Sequence, residues 1–334
     1  MNKSKGDDCS TKKMKSSNFN HGGNVYAQAK KLNLSPSEII DSSASLVPFK
    51  PPQILLDSLN SEIKNLGFRF YPERDLNSLK ETIGEFHKIN PENILPGNGA
   101  SELITWAGYE ASKLGISCIP SPGFVDYERS LNCWNSNFIY SELPTEWTNI
   151  FPQPFPIKPI GDVIWITNPH NPTGQLWEKK SLESLLKKYK LVICDEAFLS
   201  MTPNGEQQSL IPLTKKYDNL LVLRSLTKLF NIPGLRLGYV IGSPQKLRKW
   251  NINRDPWPLN SFAIKAGIEL LSNKNFYEQW TKKIHNWINI EKKWVYDELS
   301  KVDNIKIHSS STNFFLIESQ CSLSPNILYL ENKG

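Results

Sequence analysis

The chain has 334 residues, of which 39% are hydrophobic and 22% charged, a composition typical of a globular protein with a sizeable buried core. Its five cysteines form no CxxC pair, which argues against a disulfide framework or a metal site and favours a cytoplasmic location. No apolar run approaches the ~18 residues of a membrane span. The net charge of +6 is partly due to lysines in a polar N-terminal segment, so we expect no nucleic-acid partner.

The predicted elements begin after a disordered tail at residues 1–20. A short helix is predicted at 25–31, then a turn, a short strand and a proline-rich linker at 34–52. Residues 51–66 have the apolar spacing of an amphipathic helix. Short apolar runs then alternate with helical or loop segments, which indicates an α/β fold with a parallel sheet. These runs predict strands at 116–119, 138–140, 163–167, 191–194, 220–223 and 238–241.

Near the C-terminus, aromatic and aliphatic residues recur at helical spacing between 276 and 295, which predicts one long helix with an apolar face. Residues 304–319 predict two further strands. In a parallel sheet the functional residues gather at the carboxyl ends of the strands, and the most distinctive motifs of this chain follow predicted strands.

Three of these motifs contain polar residues suited to chemistry. Ser225, Lys228 and Arg236 lie in "RSLTKLFNIPGLR", Asn171 lies in "NPHNPTG", and Asp195 follows the apolar run of "LVICDEAF". Taken singly, the lysine fits ordinary surface charge and the asparagine a simple turn. Burying a carboxylate costs free energy unless it is paired, so we expect a partner cation near Asp195.

Together, and in this order, the motifs resemble those of the fold-type I pyridoxal-phosphate enzymes, the aspartate aminotransferase superfamily, over residues 21–334. The resemblance implies pyridoxal 5'-phosphate as cofactor, held by Lys228 as a Schiff base, and a proton-carrying role for the same lysine. It implies that Asp195 pairs with the pyridine nitrogen. The other implied cofactor contacts are Asn171 to the 3-oxygen and Ser225 and Arg236 to the phosphate.

The segment "LPGNGASELITWA" reads as a glycine-rich turn that leads into a helix. By the resemblance, Gly99, Ala100 and Ser101 form the phosphate cup at the helix N-terminus. Phe124 matches a ring that stacks on the cofactor, although by itself it fits a core residue. Tyr71 matches a tyrosine that reaches the phosphate of a neighbouring subunit, which implies a homodimer with shared sites; without the resemblance, a buried structural tyrosine is equally expected.

The implied fold is α/β, a fold-type I pyridoxal-phosphate-dependent transferase with a mostly parallel central sheet. We expect an N-terminal arm and part of a small domain at 21–65, a large cofactor-binding domain at 66–260, and the rest of the small α/β domain at 261–334. The resemblance also predicts a further strand and helix beyond Gly334, with arginines that bind the substrate carboxylate.

Within the superfamily, "HGGN" at 21–24, together with "DEAF", "RSLTK" and "DPWPLN", resembles the threonine-phosphate decarboxylases. The implied reaction converts L-threonine O-3-phosphate to (R)-1-amino-2-propanol O-2-phosphate for cobalamin synthesis. His21, Gly22 and Ser45 are the implied substrate contacts, with Asn171 near the carboxylate. That family usually has "SANINP" where this chain has "SASLVP", so Ser45 and Val47 replace two asparagines, and Val47 cannot donate a hydrogen bond.

Two other functions stay open at this stage. Histidinol-phosphate aminotransferases are similar in sequence, but they usually have tyrosine where this chain has Phe198. The second alternative is a catalytically impaired pyridoxal-phosphate-binding protein that lacks the C-terminal arginines. For the two enzymatic functions we expect a small phosphorylated amine or amino acid as substrate.

Overall fold

The computed structural model describes residues 21–144, 146–156 and 160–334, so the predicted tail at 1–20 lies outside the described residues. Helices and strands alternate through most of these ranges. The helices are α1 Val25–Leu32, α2 Gln53–Lys64, α3 Asn77–His87, α4 Gly99–Ser112, α5 Asp126–Cys133, α6 Lys179–Leu185, α7 Pro244–Asn253, α8 Ser261–Ser272, α9 Lys274–Leu299 and α10 Ser324–Glu331. The strands are β1 Ile94–Asn98, β2 Ser117–Ser121, β3 Phe138–Glu142, β4 Val163–Thr167, β5 Leu191–Asp195, β6 Leu220–Ser225, β7 Leu237–Ile241, β8 Ile305–Ile307 and β9 Ile317–Ser319.

The central sheet has seven strands in the order β1-β7-β6-β5-β4-β2-β3. The neighbours β6-β5-β4-β2-β3 pair in parallel, whereas β7 is antiparallel to both β1 and β6. The antiparallel strand follows from a short connection: only residues 226–236 separate β6 from β7, too few for the crossover that a parallel pair needs. This mostly parallel sheet confirms the predicted α/β class.

Apolar side chains cover both faces of the sheet. Along β4, Val163 and Trp165 join one core cluster, while Ile164 and Ile166 join the other, because successive strand residues point to opposite faces. Helices α4, α5 and α7 pack on the first face, and α2, α3, α6, α8 and α9 contribute to the second. Burial on both sides is why the strands appear in the sequence as continuous apolar runs.

Two local predictions are wrong. Residues 95–98, predicted as part of a glycine-rich turn, belong to β1 at the sheet edge. An edge strand tolerates Pro96, because the N–H that proline lacks is not needed inside the sheet. The short strand predicted within 34–52 is absent from that segment, whose only regular element is a 3-10 turn at Pro36–Glu38.

The C-terminal part follows the prediction of one long helix and two strands. Helix α9 spans 26 residues, and β8 pairs antiparallel with β9. The division into domains at 65 and 260 stays a prediction. Within the ranges that the structure describes, no helix is long and apolar enough to cross a membrane.

Candidate active site

The predicted site residues follow the ends of different strands on one edge of the sheet. Asp195 ends β5 and Ser225 ends β6, while Gly99 directly follows β1. Since these strands run in the same direction, their carboxyl ends meet at a single edge. The structure therefore brings together residues that are more than 100 positions apart in the sequence.

Asp195 is buried, with 4% of its surface exposed. One carboxylate oxygen accepts a hydrogen bond from the Tyr127 hydroxyl at 3.1 Å, and the other accepts one from the backbone N–H of Ala197 at 3.0 Å. Burial raises the pKa of Asp195 to about 6, although these two hydrogen bonds and the charge of Lys228 oppose the rise. Within the described chain no cation lies within 4 Å of this carboxylate, so the expected close ion pair is not formed by a protein side chain.

Lys228 lies in the turn between β6 and β7, three residues beyond Ser225. Its amine is 5.8 Å from the centroid of the Phe198 ring and, among the described residues, has no hydrogen-bond partner. Burial, and then the positive charge of Arg236, lower the pKa of Lys228, while Asp195 and Asp41 act in the opposite direction. A lowered pKa increases the neutral, nucleophilic fraction of the amine.

Arg236 and Gly99 form a cradle at the N-terminus of α4. The Gly99 N–H donates to the Arg236 carbonyl at 3.0 Å, and a Cβ added at Gly99 would lie 2.5 Å from Arg236 Nη2. Gly99 also has a φ of +74°, a conformation that glycine adopts without strain. Its own N–H is already used, so the free N–H groups of this helix start belong to Ala100 and Ser101.

Ser225 contributes a hydroxyl at the end of β6. Its Oγ lies 2.7 Å from the Thr227 hydroxyl and 3.3 Å from the Thr227 backbone nitrogen. These contacts hold the chain in a tight turn directly before Lys228.

The aromatic side of the site is built around Phe124 and Tyr127. Phe124 is partly exposed, and its ring meets the Tyr127 ring edge to face, with centroids 5.5 Å apart. Tyr127 in turn lies 2.7 Å from the Thr167 hydroxyl. Phe124 is therefore joined to Asp195 through a single buried tyrosine.

The N-terminal arm approaches the same region. His21 Nε2 lies 3.5 Å from the carboxylate of the buried Asp126, and the His21 ring centroid is 6.0 Å from that of Phe124. Ser43 holds the two glycines that follow His21. Its hydroxyl accepts a hydrogen bond from the Gly23 N–H at 2.8 Å, and its carbonyl lies so close to Gly22 that a Cβ there would collide with it. The arm thus places His21 and Gly22 beside the predicted cofactor-stacking ring.

Asn171 lies in the loop after β4, and its side chain has no hydrogen-bond partner among the described residues. The loop itself is fixed: the Gly174 carbonyl accepts from the backbone N–H of Ser311 at 2.8 Å and from its hydroxyl at 2.7 Å. At the start of the loop, the Asn168 N–H donates to the Asp195 carbonyl at 2.8 Å. The amide of Asn171 therefore projects from a well-held loop and is available to a ligand.

The structure does not bring every predicted residue into direct contact with this cluster. Ser45 is partly buried in the arm, and its hydroxyl makes no hydrogen bond to another described residue. Val47 is 1% exposed and belongs to the hydrophobic core, so it packs where an asparagine would have to be hydrogen-bonded. Tyr71 is 79% exposed and stacks on Trp257 with centroids 4.5 Å apart, which rules out the buried structural tyrosine.

Several site residues escape prediction from the sequence. Tyr127 binds Asp195, and its only signal in the sequence is its position three residues after Phe124. Asp126 and Ser43 position the arm, but nothing in their local sequence distinguishes them from ordinary helix and loop residues.

The donors and acceptors of this cluster fit pyridoxal phosphate. The free N–H groups of the α4 N-terminus and the Arg236 guanidinium suit a phosphate. A buried carboxylate without a cation suits a protonated ring nitrogen, and a lysine amine with a lowered pKa suits bond formation with an aldehyde. Because Gly99 has no side chain, the Arg236 guanidinium can lie close to the N-terminus of α4, and both can contact the same anion.

The fold and this cluster of residues define a pyridoxal-phosphate-dependent enzyme of fold type I. The chain belongs to the aminotransferase class I and II family, which matches residues 30–326.

Three similar proteins illustrate the range within that family. A protein of Caldanaerobacter subterraneus subsp. tengcongensis, provisionally named a threonine-phosphate decarboxylase, is 34% identical over 90% of this chain and 79% of its own length. Threonine-phosphate decarboxylase of Salmonella typhimurium is 29% identical over 91% of this chain and 83% of its own. The crystal structure of histidinol-phosphate aminotransferase from Clostridium acetobutylicum superposes with a TM-score of 0.74 at 28% identity, covering 87% of both chains.

The cradle at Gly99 yields a first prediction. In Gly99→Ala, the new Cβ would lie 2.5 Å from Arg236 Nη2 at a φ of +74°, so the guanidinium must move. We expect the unfolding free energy to fall by about 1–3 kcal/mol and the cofactor dissociation constant, measured by absorbance titration, to rise at least about tenfold. Gly234→Ala is the matched control, because no atom lies within 4 Å of its Cβ. Equal affinities in the two variants would contradict the cradle.

The buried carboxylate yields a second prediction, for the protein prepared without cofactor. The pKa of Asp195 is about 6 when folded against 3.8 in the reference state, so the native state holds the proton to higher pH. The contribution of Asp195 to the stability of the wild type therefore falls as the pH rises from about 4 to about 6, by about 3 kcal/mol. Asp195→Asn should remove this fall and be the more stable protein at pH 8. Urea unfolding at pH 4 and pH 8 measures the difference, and parallel pH profiles of the two proteins would refute the assignment.

Proposed function

We propose that this chain decarboxylates L-threonine O-3-phosphate to (R)-1-amino-2-propanol O-2-phosphate, a step of cobalamin synthesis. The observation that carries the proposal is the position of the "HGGN" arm, which holds His21 beside Phe124 and Asp126. The identity of 34% to a relative provisionally named for this activity supports it. So does the phenylalanine at position 198, which lies under the Lys228 amine without a phenol to offer the cofactor.

In the proposed reaction the Cα–carboxylate bond breaks, carbon dioxide leaves, and a proton replaces it at Cα. Bound pyridoxal phosphate supplies the electron sink for the pair left on Cα. The Asp195 carboxylate would hold the ring nitrogen and favour its protonated form. The Lys228 amine would hold the cofactor through its aldehyde and, once the substrate amine has displaced it, would be free to deliver the proton to Cα.

Orientation selects which bond at Cα breaks, because the bond to be cleaved must stand perpendicular to the ring plane. The arm that contains His21 and Gly22 brings the His21 ring to 6.0 Å from the Phe124 ring, centroid to centroid. We assign His21 and Gly22 to the substrate, Asn171 to the cofactor's 3-oxygen and the substrate carboxylate, and Ser45 to a further hydrogen bond with the substrate. Ser225, Arg236, Ala100 and Ser101 bind the cofactor phosphate, and Gly99 leaves space for it.

A second candidate function is amino transfer from histidinol phosphate or a similar phosphorylated amine. It is supported by the structural similarity to histidinol-phosphate aminotransferase at 28% identity. The two reactions share the cofactor site and differ in whether the carboxylate or a proton leaves Cα, so they are separated by their products.

Product analysis tests the proposal. With threonine phosphate, the purified holoenzyme should release carbon dioxide and aminopropanol phosphate in equal amounts, detected by mass spectrometry. Lys228→Ala should lower the rate at least about a thousandfold, because both attachment and proton delivery are lost. With histidinol phosphate and 2-oxoglutarate, we expect no glutamate. Glutamate formation without carbon dioxide release from threonine phosphate would establish the second candidate instead.

We further propose a homodimer in which Tyr71 binds the cofactor phosphate of the partner subunit. Within its own chain the Tyr71 hydroxyl has no hydrogen-bond partner among the described residues. Phe68 and Phe70 are also exposed, by 56% and 73%, and Trp257 by 42%, so an apolar surface surrounds the tyrosine. Contiguous exposed aromatic surface is typical of a protein interface.

Subunit mixing tests this dimer. A Tyr71→Ala chain paired with a Lys228→Ala chain forms one site in which both residues are intact and one in which both are missing. We expect each parent homodimer to be impaired and the equimolar refolded mixture to recover about a quarter of wild-type activity, since half of the dimers are hybrids with one complete site. A mixture no more active than its parents would show that Tyr71 does not act across subunits.

A further inference from the structure

A buried charge cluster lies behind the proposed cofactor site. Arg224, with 3% of its side chain exposed, places Nη2 2.8 Å from a carboxylate oxygen of the fully buried Glu196. The same guanidinium donates to both carboxylate oxygens of Glu206, at 2.7 and 2.8 Å, and to the hydroxyls of Ser200 and Ser209, at 3.0 Å each. We call these five residues the Arg224 cluster.

The acidic members of the cluster are firmly bound. Glu196 accepts further hydrogen bonds from the Ser209 hydroxyl at 2.8 Å and from the Leu210 N–H at 2.7 Å. Desolvation opposes the ionisation of the half-exposed Glu206 side chain, but the attraction of Arg224 outweighs it and lowers the pKa of Glu206 to about 2. The Arg224–Glu206 pair is therefore ionised throughout the physiological pH range.

The cluster is attached to the site by single peptide bonds. Glu196 directly follows Asp195 and Arg224 directly precedes Ser225. Successive strand residues point to opposite faces, so the two charged side chains lie on one face of the sheet while those of Asp195 and Ser225 lie on the other. A backbone hydrogen bond also joins the ends of β5 and β6, because the Glu196 N–H donates to the Leu223 carbonyl at 2.9 Å.

The cluster also fixes the long excursion after β5. Ser200, Glu206 and Ser209 all belong to residues 196–210, the segment that carries Phe198 under the Lys228 amine. On this segment, the Ser200 carbonyl is further bound by His285 of α9, at 2.9 Å. One guanidinium thus ties the end of β6, which leads to Lys228, to the segment that starts at Asp195.

Buried ion clusters are a weak source of net stability, because desolvation offsets most of the attraction between the charges. Their contacts are directional, however, and the planar guanidinium accepts few arrangements of two carboxylates. A neutral set of similar size is therefore compatible with folding but would not fix the two strand ends with the same accuracy.

We propose that Arg224, with Glu196 and Glu206, is the positioning element that sets the distance between Asp195 and Lys228 for cofactor binding. The inference rests on the proposed pyridoxal-phosphate site but not on the identity of the substrate. Arg224 acts through the backbone of β6 and touches no cofactor atom, so it is a positioning residue and not a catalytic one.

The test compares cofactor binding with stability in a charge-free variant. Arg224→Met, Glu196→Gln and Glu206→Gln are combined so that no unpaired charge stays buried. We expect this variant to fold and its dissociation constant for pyridoxal phosphate to rise at least about tenfold. We also expect the pH at which the absorption of the bound cofactor changes to differ from that of the wild type. Wild-type affinity together with a wild-type absorption profile would overturn the proposal.

Leu182→Ala is the matched control for stability. Leu182 is fully buried on α6, so its truncation lowers the thermal midpoint without a change at the strand ends, and its cofactor affinity should equal that of the wild type. An equal loss of affinity in Leu182→Ala would mean that cofactor binding follows general stability, and the positioning role would be rejected.

Two single substitutions keep the proposal testable if the triple variant fails to fold. Glu206 is about half exposed, so Glu206→Gln should fold and weaken cofactor binding about threefold or more, whereas unchanged affinity would contradict the proposal. Arg224→Lys keeps the positive charge but loses the bidentate contact, so it should bind pyridoxal phosphate less tightly than the wild type does.

These binding measurements are independent of decarboxylation. A wild type that binds the cofactor but releases no carbon dioxide would refute the proposed function and leave the positioning role of Arg224 standing.

Discussion

The Asp195 carboxylate is held in the interior of the protein where, among the described residues, only the Tyr127 hydroxyl and one backbone N–H bind it. Such a group raises the free energy of the folded chain whenever it is ionised without a positive partner. A ligand with a protonated nitrogen at that position relieves this cost, so binding energy and specificity come from the same carboxylate. The pyridine ring of the cofactor is such a ligand, and the site depends on this one unsatisfied charge.

Lys228 presents a related compromise. Burial and the nearby Arg236 both lower its pKa, which destabilises the ammonium form but prepares the amine for reaction with an aldehyde. A phosphate bound by Arg236 would cancel much of the repulsion, so the two events support each other. The residues that would be least favourable in an ordinary core are therefore those with the clearest roles once the cofactor is considered.

Much of the fold could be predicted because its strands are buried on both faces and appear as continuous apolar runs, as in β4 and β5. The edge strand β1 could not, since "ILPGN" contains proline and glycine, and only its pairing with β7 makes it a strand. In the site, Lys228 and Asp195 could be predicted from their motifs. Tyr127 and Ser43 could not, because their roles exist only after the chain has folded and brought them to partners distant in sequence.

The order of the strands determines how the functional groups are arranged across the site. Gly99 directly follows β1 and Arg236 directly precedes β7, while Lys228 follows β6 and Asp195 ends β5. Strands β7 and β5 are two spacings apart, which is about 10 Å, so the anion-binding groups and the buried carboxylate are separated by a distance that the sheet itself sets. The lysine lies in the turn that follows β6, the strand between them. A ligand that satisfies all three must therefore have an anionic group at one end, a basic nitrogen towards the other, and a reactive carbonyl between them, which is the arrangement of groups in pyridoxal phosphate.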